Sequence, residues 1–154
     1  MKRMICRFTQ MSLILTGALA LVFAAGCGKK GTDPAASKGA LTQASGKTWR
    51  LDKWVGVDGS KQTPGVITIA FDGGLRVSGN AGVNAYTGPA KFAENGAVDF
   101  STGFVSTRMA GSPEAQAREN RYLNELRLVR AAAIEGGRLV FTGDGKLRME
   151  FVAQ

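Results

Sequence analysis

From Lys47 onward, apolar residues return at every second position in short runs, which is the period of a half-buried β-strand. Ile69, Phe71, Leu75 and Val77 keep this phase, as do Ala90, Phe92, Val98 and Phe100. The longest such region is the last, with Ala131, Ala133, Leu139, Phe141, Leu147, Met149 and Phe151. Between these runs lie Thr68, Arg76, Ser78, Lys91, Asp99, Arg138, Lys146, Arg148 and Glu150, which form a polar face. The pattern predicts antiparallel sheet with one wet side.

Four tripeptides separate the runs: Asp72-Gly73-Gly74, Glu94-Asn95-Gly96, Glu135-Gly136-Gly137 and Gly143-Asp144-Gly145, each with Gly third. Read as three-residue hairpin loops, they set Phe71 opposite Leu75, Ile69 opposite Val77, Phe92 opposite Val98 and Ala90 opposite Phe100. They also set Ala133 opposite Leu139, Ala131 opposite Phe141, Phe141 opposite Leu147 and Leu139 opposite Met149. Every pair is apolar. Two-residue loops would set Phe71 against Arg76 and Ile69 against Ser78, and a one-residue slip exchanges the faces. Three-residue loops with a left-handed third glycine are therefore expected at all four sites.

Lys47 to Val55 adds a strand with Trp49 and Leu51 inward, and Phe104 to Met109 adds another. One helix interrupts the strands. Ser112 suits its N-cap and Pro113 its first position, with Tyr122, Leu123, Leu126 and Val129 on one face and Glu114 to Arg118 an i,i+4 pair. The expected fold is α+β, predominantly antiparallel β: a curled sheet or partly open barrel of about eight strands with one amphipathic helix.

The N-terminus reads differently. Lys2, Arg3 and Arg7 precede an apolar run from Met11 to Ala25, which is the plan of a secretory signal and too short to span a bilayer comfortably. The run ends Phe23-Ala24-Ala25-Gly26-Cys27 and resembles a bacterial lipobox, with Ala24 where leucine is usual. Residues 1–26 are thus expected to be a lipoprotein signal peptide and Cys27 the lipidation site, with palmitate among its acyl chains. Each chain contributes about 0.8 kcal/mol per buried methylene. Residues 27–46 are rich in Gly, Ala, Ser, Lys and Thr and read as a flexible, lipid-anchored tether, leaving 47–154 as the folded domain. Gly28 after the cysteine, where Asp would signal inner-membrane retention in enteric-type bacteria, favours the outer membrane, facing the periplasm.

Composition narrows the chemistry. The chain of 154 residues has no histidine, which excludes Ser-His-Asp and Cys-His catalysis and His-ligated zinc. Its two cysteines, Cys6 and Cys27, both precede the domain, so the domain holds no disulfide or thiolate site. Losing residues 1–26, with three basic residues and no acid, lowers the net charge from +8 to +5. The domain has no dense basic stripe with interleaved aromatics, and nucleic acid is not an expected partner. No metal or cofactor is expected.

The candidate binding residues are few. Asn80 and Asn84 lie among glycines, where their amides can meet a ligand or support left-handed backbone and turns. Arg108 can meet an anion or pair with Glu114 or Glu119. Trp54, beside Gly56, can stack on a sugar or join the core. Tyr86 lies in the same segment as the two asparagines. Asp72, Glu94, Asp99 and Glu135 sit in loops or on the wet face, which does not suit acid-base work. Ser60-Lys61 is adjacent where a Ser-Lys nucleophile needs a wider spacing. No catalytic residue is assigned.

The run from Gly79 through Asn80, Gly82, Val83, Asn84 and Tyr86 to Gly88 resembles the G-x-x-G-C-N-x-[FY]-x-G segment of the META domain, or HslJ-like, family. Thr107-Arg108-Met109 resembles its T-x-M-x-C segment. Trp49-x-Leu51, Glu119-x-x-Tyr122-x-x-x-Leu126 and Leu139-x-Phe141 follow in the family's order over about residues 47 to 152. Val83 and Gly111 stand where the family carries cysteines, and the joint replacement implies that these two positions are close in space. The resemblance implies a compact β-rich domain of secreted or lipid-anchored bacterial proteins, with no established catalytic activity. The expected function is that of a non-enzymatic cell-envelope lipoprotein that binds or supports another envelope component, including under stress. The alternative is a carrier of an acyl chain or other small apolar ligand inside the curled sheet. The sequence sets no oligomeric state.

Overall fold

The computed structural model describes residues 42–73, 76–93 and 97–154. The expected signal peptide, Cys27 and most of the tether lie outside the described residues, as do Gly74, Leu75 and Glu94-Asn95-Gly96. After a helical turn at residues 42–44 come β1 (Thr48–Val55), β2 (Lys61–Gln62), β3 (Thr68–Asp72), β4 (Arg76–Asn80) and β5 (Ala85–Pro89). Then follow β6 (Lys91–Phe92), β7 (Val98–Asp99), β8 (Val105–Ser106), α1 (Pro113–Leu126), β9 (Val129–Glu135), β10 (Arg138–Gly143) and β11 (Arg148–Ala153). The strands number more than about eight because several are two-residue pieces.

One antiparallel sheet runs β8-β5-β4-β3-β1-β11-β10-β9, with β2 also on β1 and β6-β7 forming a separate hairpin. The sheet is curled but not closed. β1 is central: Trp49 pairs with Ile69 of β3 on one side and with Ala153 of β11 on the other. Helix α1 connects β8 to β9, the two ends of this order, and so crosses the mouth of the curl with Tyr122 and Leu126 fully buried beneath it. Ser112 caps it by accepting from the Ala115 N–H at 3.3 Å.

The helix stops at Leu126, and Val129 belongs to β9 rather than to the helix face. The i,i+4 ion pair on α1 is Arg121 with Glu125 at 3.0 Å, and Glu114 with Arg118 forms none. Its own backbone N–H, followed by the Ser112 hydroxyl, holds the Glu114 carboxyl below the usual range.

The hairpins divide. β6 and β7 pair as expected, Phe92 with Val98. β3 and β4 pair Phe71 with Val77, and β10 and β11 pair Phe141 with Met149, each one rung from the expected register. A two-residue shift keeps every side chain on its own face, so apolar alternation does not distinguish the rungs. β9 and β10 differ in kind: Glu135 pairs with Arg138 around a two-residue turn. Gly136 and Gly137 both have positive φ, at +55° and +78°, which is the backbone of a type I′ turn whose twist matches the strands. The slip turns Ala132 inward, opposite Phe141, where Ala131 and Ala133 were expected.

Inside the curl Phe141 lies against three rings, with centroids 6.3 Å from Phe71, 5.8 Å from Phe100 and 5.2 Å from Phe151. Trp49, Leu51, Ile69, Leu139, Leu147 and Met149 complete the filling. Burying each such side chain contributes about 1.5–3 kcal/mol. β1 reaches this core twice because its register shifts between Leu51 and Lys53. Trp49 and Leu51 point inward, the extra residue Asp52 resets the phase, and Trp54 points inward too.

Candidate functional site

The glycine-rich connection from β4 to β5 brings Asn84 against Glu119, midway along α1. Gly79 permits the approach, since a Cβ there would collide with the Thr68 carbonyl oxygen. Asn80 bonds locally: its Oδ1 accepts the Gly82 N–H at 2.7 Å, closing an Asx turn. Asn84 bonds over a long range. Its side chain is buried, with Oδ1 accepting from Thr107 Oγ1 at 2.8 Å and from the Met109 N–H at 2.7 Å.

Glu119 of α1 completes this clasp. One carboxylate oxygen accepts the successive N–H groups of Val83 at 3.1 Å and Asn84 at 2.7 Å, and the other accepts Asn84 Nδ2 at 2.8 Å. Successive backbone N–H groups converging on one oxygen form an anion nest. Here the anion is the protein's own side chain. The same geometry brings position 111 to position 83, where a Cβ built on Gly111 would lie 3.4 Å from the Val83 Cβ. That is just short of the roughly 3.5–4.5 Å between the Cβ atoms of a disulfide, so a bridge needs only a small adjustment.

Tyr86 and Trp54 lie deeper. Tyr86 Oη donates to the Thr68 carbonyl at 3.1 Å and stands 2.9 Å from Tyr122 Oη. Burial pushes both phenols above their usual range, and for Tyr86 the neighbouring Tyr122 adds to the shift. Trp54 Nε1 donates to Glu125 at 2.7 Å, and its ring meets Tyr122 edge-on. Glu125 also accepts from Arg121 Nε, and Arg121 reaches Asp58 at 3.2 Å. The Ser60 hydroxyl and N–H, followed by Arg121, hold the Asp58 carboxyl down at about 2. The Ser60 hydroxyl is thus engaged by Asp58, Gln62 and Arg121.

Arg108 is the candidate left in solvent. Among the described residues it makes no ion pair, and neither Glu114 nor Glu119 reaches it. It stands with Ser106, Gln116 and Asn120 around an open cleft of about 390 Å³ whose floor is the Asn84–Glu119 clasp. On the other side of β8 a second cleft, of about 310 Å³, is lined by Arg76, Thr87, Thr102, Gly103, Val105 and Arg127. The structure thus gathers Asn84 and Arg108 at one cleft and leaves Asn80, Tyr86 and Trp54 out of it. Arg76, Val105 and Arg127 were not singled out from the sequence. Their only mark there is that they flank weak strands and a helix end.

These clefts offer hydrogen-bond donors, positive charge and apolar surface, which suits binding. Among the described residues no group of three acidic, histidine or cysteine side chains converges to hold a metal. No described helix is long and apolar enough to cross a membrane.

Comparison with known proteins agrees with the fold. The family model "META domain" matches residues 40–154. No curated protein matches the chain. An NMR structure of a protein from Burkholderia xenovorans superposes with a TM-score of 0.63 at 22% identity, covering 79% of this chain and 88% of that one. A second NMR structure does so at 0.53 and 20% identity, covering 73% of this chain and 92% of the other.

Proposed function

The chain belongs to the META domain family, and from this premise we propose that it is a non-enzymatic, lipid-anchored protein of the cell envelope whose domain binds or supports another envelope component. One observation carries the reading. Every buried side-chain nitrogen and oxygen among the described residues has a hydrogen-bond partner, and the family's polar signature, Asn84, Thr107 and Glu119, is engaged in tying a loop to a helix. Residues held this way build a rigid surface rather than a reaction centre. The carrier reading has less support, because the interior of the curl is filled by Phe71, Phe100, Phe141, Phe151 and Met149.

The test is native mass spectrometry of the full chain, extracted in mild detergent from its own membranes. A stoichiometric protein partner is the expected result. A stoichiometric apolar ligand retained in its place would support the carrier, and neither would overturn the binding reading. The anchor is tested separately with Cys27→Ser, which should release the protein from the membrane fraction and end acyl labelling. Unchanged labelling would refute lipidation at that residue.

A further inference from the structure

The two ends of the sheet are not treated alike. β9 is covered, because the β6-β7 hairpin lies along it and Ala97 bridges to Ala131. β8 has β5 on one side and no strand on the other among the described residues. Thr107 N–H donates to the Ala85 carbonyl at 3.0 Å, so Val105 and Thr107 direct their backbone groups to β5. By alternation the N–H and C=O of Ser106 face away from the sheet. Beside them a shallow groove of about 300 Å³, lined by Ala85, Thr87, Val105 and Thr107, is mostly apolar. Val105 is 74% exposed and Met109 61%.

The ion pairs lie away from β8. Around β1 and β9 to β11, Arg130 pairs with Asp144, Arg138 with Asp52, Arg148 with Glu135 and Glu150, and Lys53 with Glu150, while Arg50 makes no ion pair among the described residues. Around β8, Arg76, Arg108 and Arg127 make no ion pair among the described residues, although Asp72 is the cross-strand neighbour of Arg76, which bonds Thr87 Oγ1. An unpaired strand edge beside apolar surface and unpaired arginines is complementary to an extended chain that alternates acidic and apolar residues.

We propose that β8 is an acceptor edge to which a partner protein adds an acidic, extended segment as a further strand. The partner's backbone bonds the free N–H and C=O of Ser106, its apolar side chains lie on Val105 and Met109, and its carboxylates meet Arg76, Arg108 and Arg127. The chain's own residues 27–46 do not suit the site, since Lys29, Lys30 and Lys38 outnumber Asp33 there. A second copy would set these arginines against their own kind. The inference rests on the binding-module reading and names the partner's chemistry.

The test is selection of short displayed peptides against the full chain in dodecyl maltoside. Enriched peptides should alternate acidic and β-branched residues, and their binding should slow hydrogen exchange at the Ser106 amide. Arg108→Glu and Arg76→Glu should each weaken binding at least tenfold, and Val105→Asp should abolish it. Arg50→Glu, an equal charge change on the outer face of β1, should leave it unchanged. Selection without acidic enrichment, or binding without protection at Ser106, would overturn the proposal. So would arginine variants that weaken only adsorption to phosphatidylglycerol vesicles, which would assign the charge to a lipid surface. A partner seen by native mass spectrometry but indifferent to these substitutions would sink the edge and leave the binding module standing. The absence of both partner and peptide would sink both.

Discussion

Helix α1 buries two carboxylates almost equally, Glu119 at 6% exposure and Glu125 at 7%, yet surrounds them with different partners. Glu125 meets one neutral donor, the Trp54 indole, and one cation, Arg121, which is itself partly in solvent. Glu119 accepts from neutral donors: two successive backbone N–H groups and the amide of Asn84. Two residues at similar burial therefore do different work. Glu125 pins a side chain to the helix, and Glu119 sets the path of the backbone from β4 to β5.

The contrast is sharpest under substitution. Glu119→Ala should destabilise the domain by about 4 kcal/mol, because it orphans buried donors at about 1–3 kcal/mol each. Urea unfolding measures this, and a loss below about 1 kcal/mol would break the comparison. The isosteric change separates the two acids further. Gln at 119 must set an NH2 group against N–H donors that face both oxygens, whereas Gln at 125 keeps an acceptor for Trp54. Glu119→Gln should cost about 2–3 kcal/mol and Glu125→Gln about 1 kcal/mol, and equal losses would refute the asymmetry.

A covalent link can replace what Glu119 provides. Val83→Cys with Gly111→Cys should form a disulfide under mild oxidant and raise stability by about 3 kcal/mol on the chain-entropy account, less any strain. In the Glu119→Ala background the link should recover part of the loss. Free thiols, or a lower melting temperature on oxidation, would contradict the 3.4 Å approach of the two positions.

The smallest effect is at the Glu125 end, through pH. The Asp58 carboxyl lies at about 2 in the fold, below its ordinary 3.8, so its contribution is present above the unfolded value and lost as pH falls between these limits. Asp58→Asn should flatten the acid limb of the stability curve in that window by lowering stability at neutral pH, and leave stability near pH 2 nearly unchanged. An unaltered acid limb would remove Asp58 from the account.

Much of the fold is legible in the sequence because alternation carries it. The inward set Leu139, Phe141, Leu147, Met149 and Phe151 is read directly and is buried throughout. What alternation does not specify is anything that preserves faces, such as the one-rung shifts, or anything that interrupts the phase. The bulge at Asp52 is of the second kind: continued from Trp49 and Leu51, the period turns Trp54 outward, and only the register with β11 reverses it. Similarly, the two-residue turn at Gly136-Gly137 is decided by backbone twist, which a count of apolar pairs does not weigh. The candidate site was legible in its residue types and not in their roles. Asn84 attracts notice as an amide between glycines, but its partner lies 35 residues away on a helix where an acid looks like ordinary solvent-facing polarity. The proximity of positions 83 and 111 was inferred from two absent cysteines, which is long-range information of a kind that local patterning lacks.

The central place of β1 bears on time as well as on space. Its rungs join Trp49 to Ile69 on one side and to Ala153 on the other, so the strand nearest the start of the sheet waits for the strand made last. At roughly 5–20 residues per second, the hundred or so residues between them take on the order of ten seconds to synthesise. Through that interval β1 has one neighbour in place of two, and half of its apolar row has nothing to lie beside. Folds closed by such distant pairings also complete slowly once the chain is whole. A chain that stays open this long can still be threaded through a narrow channel.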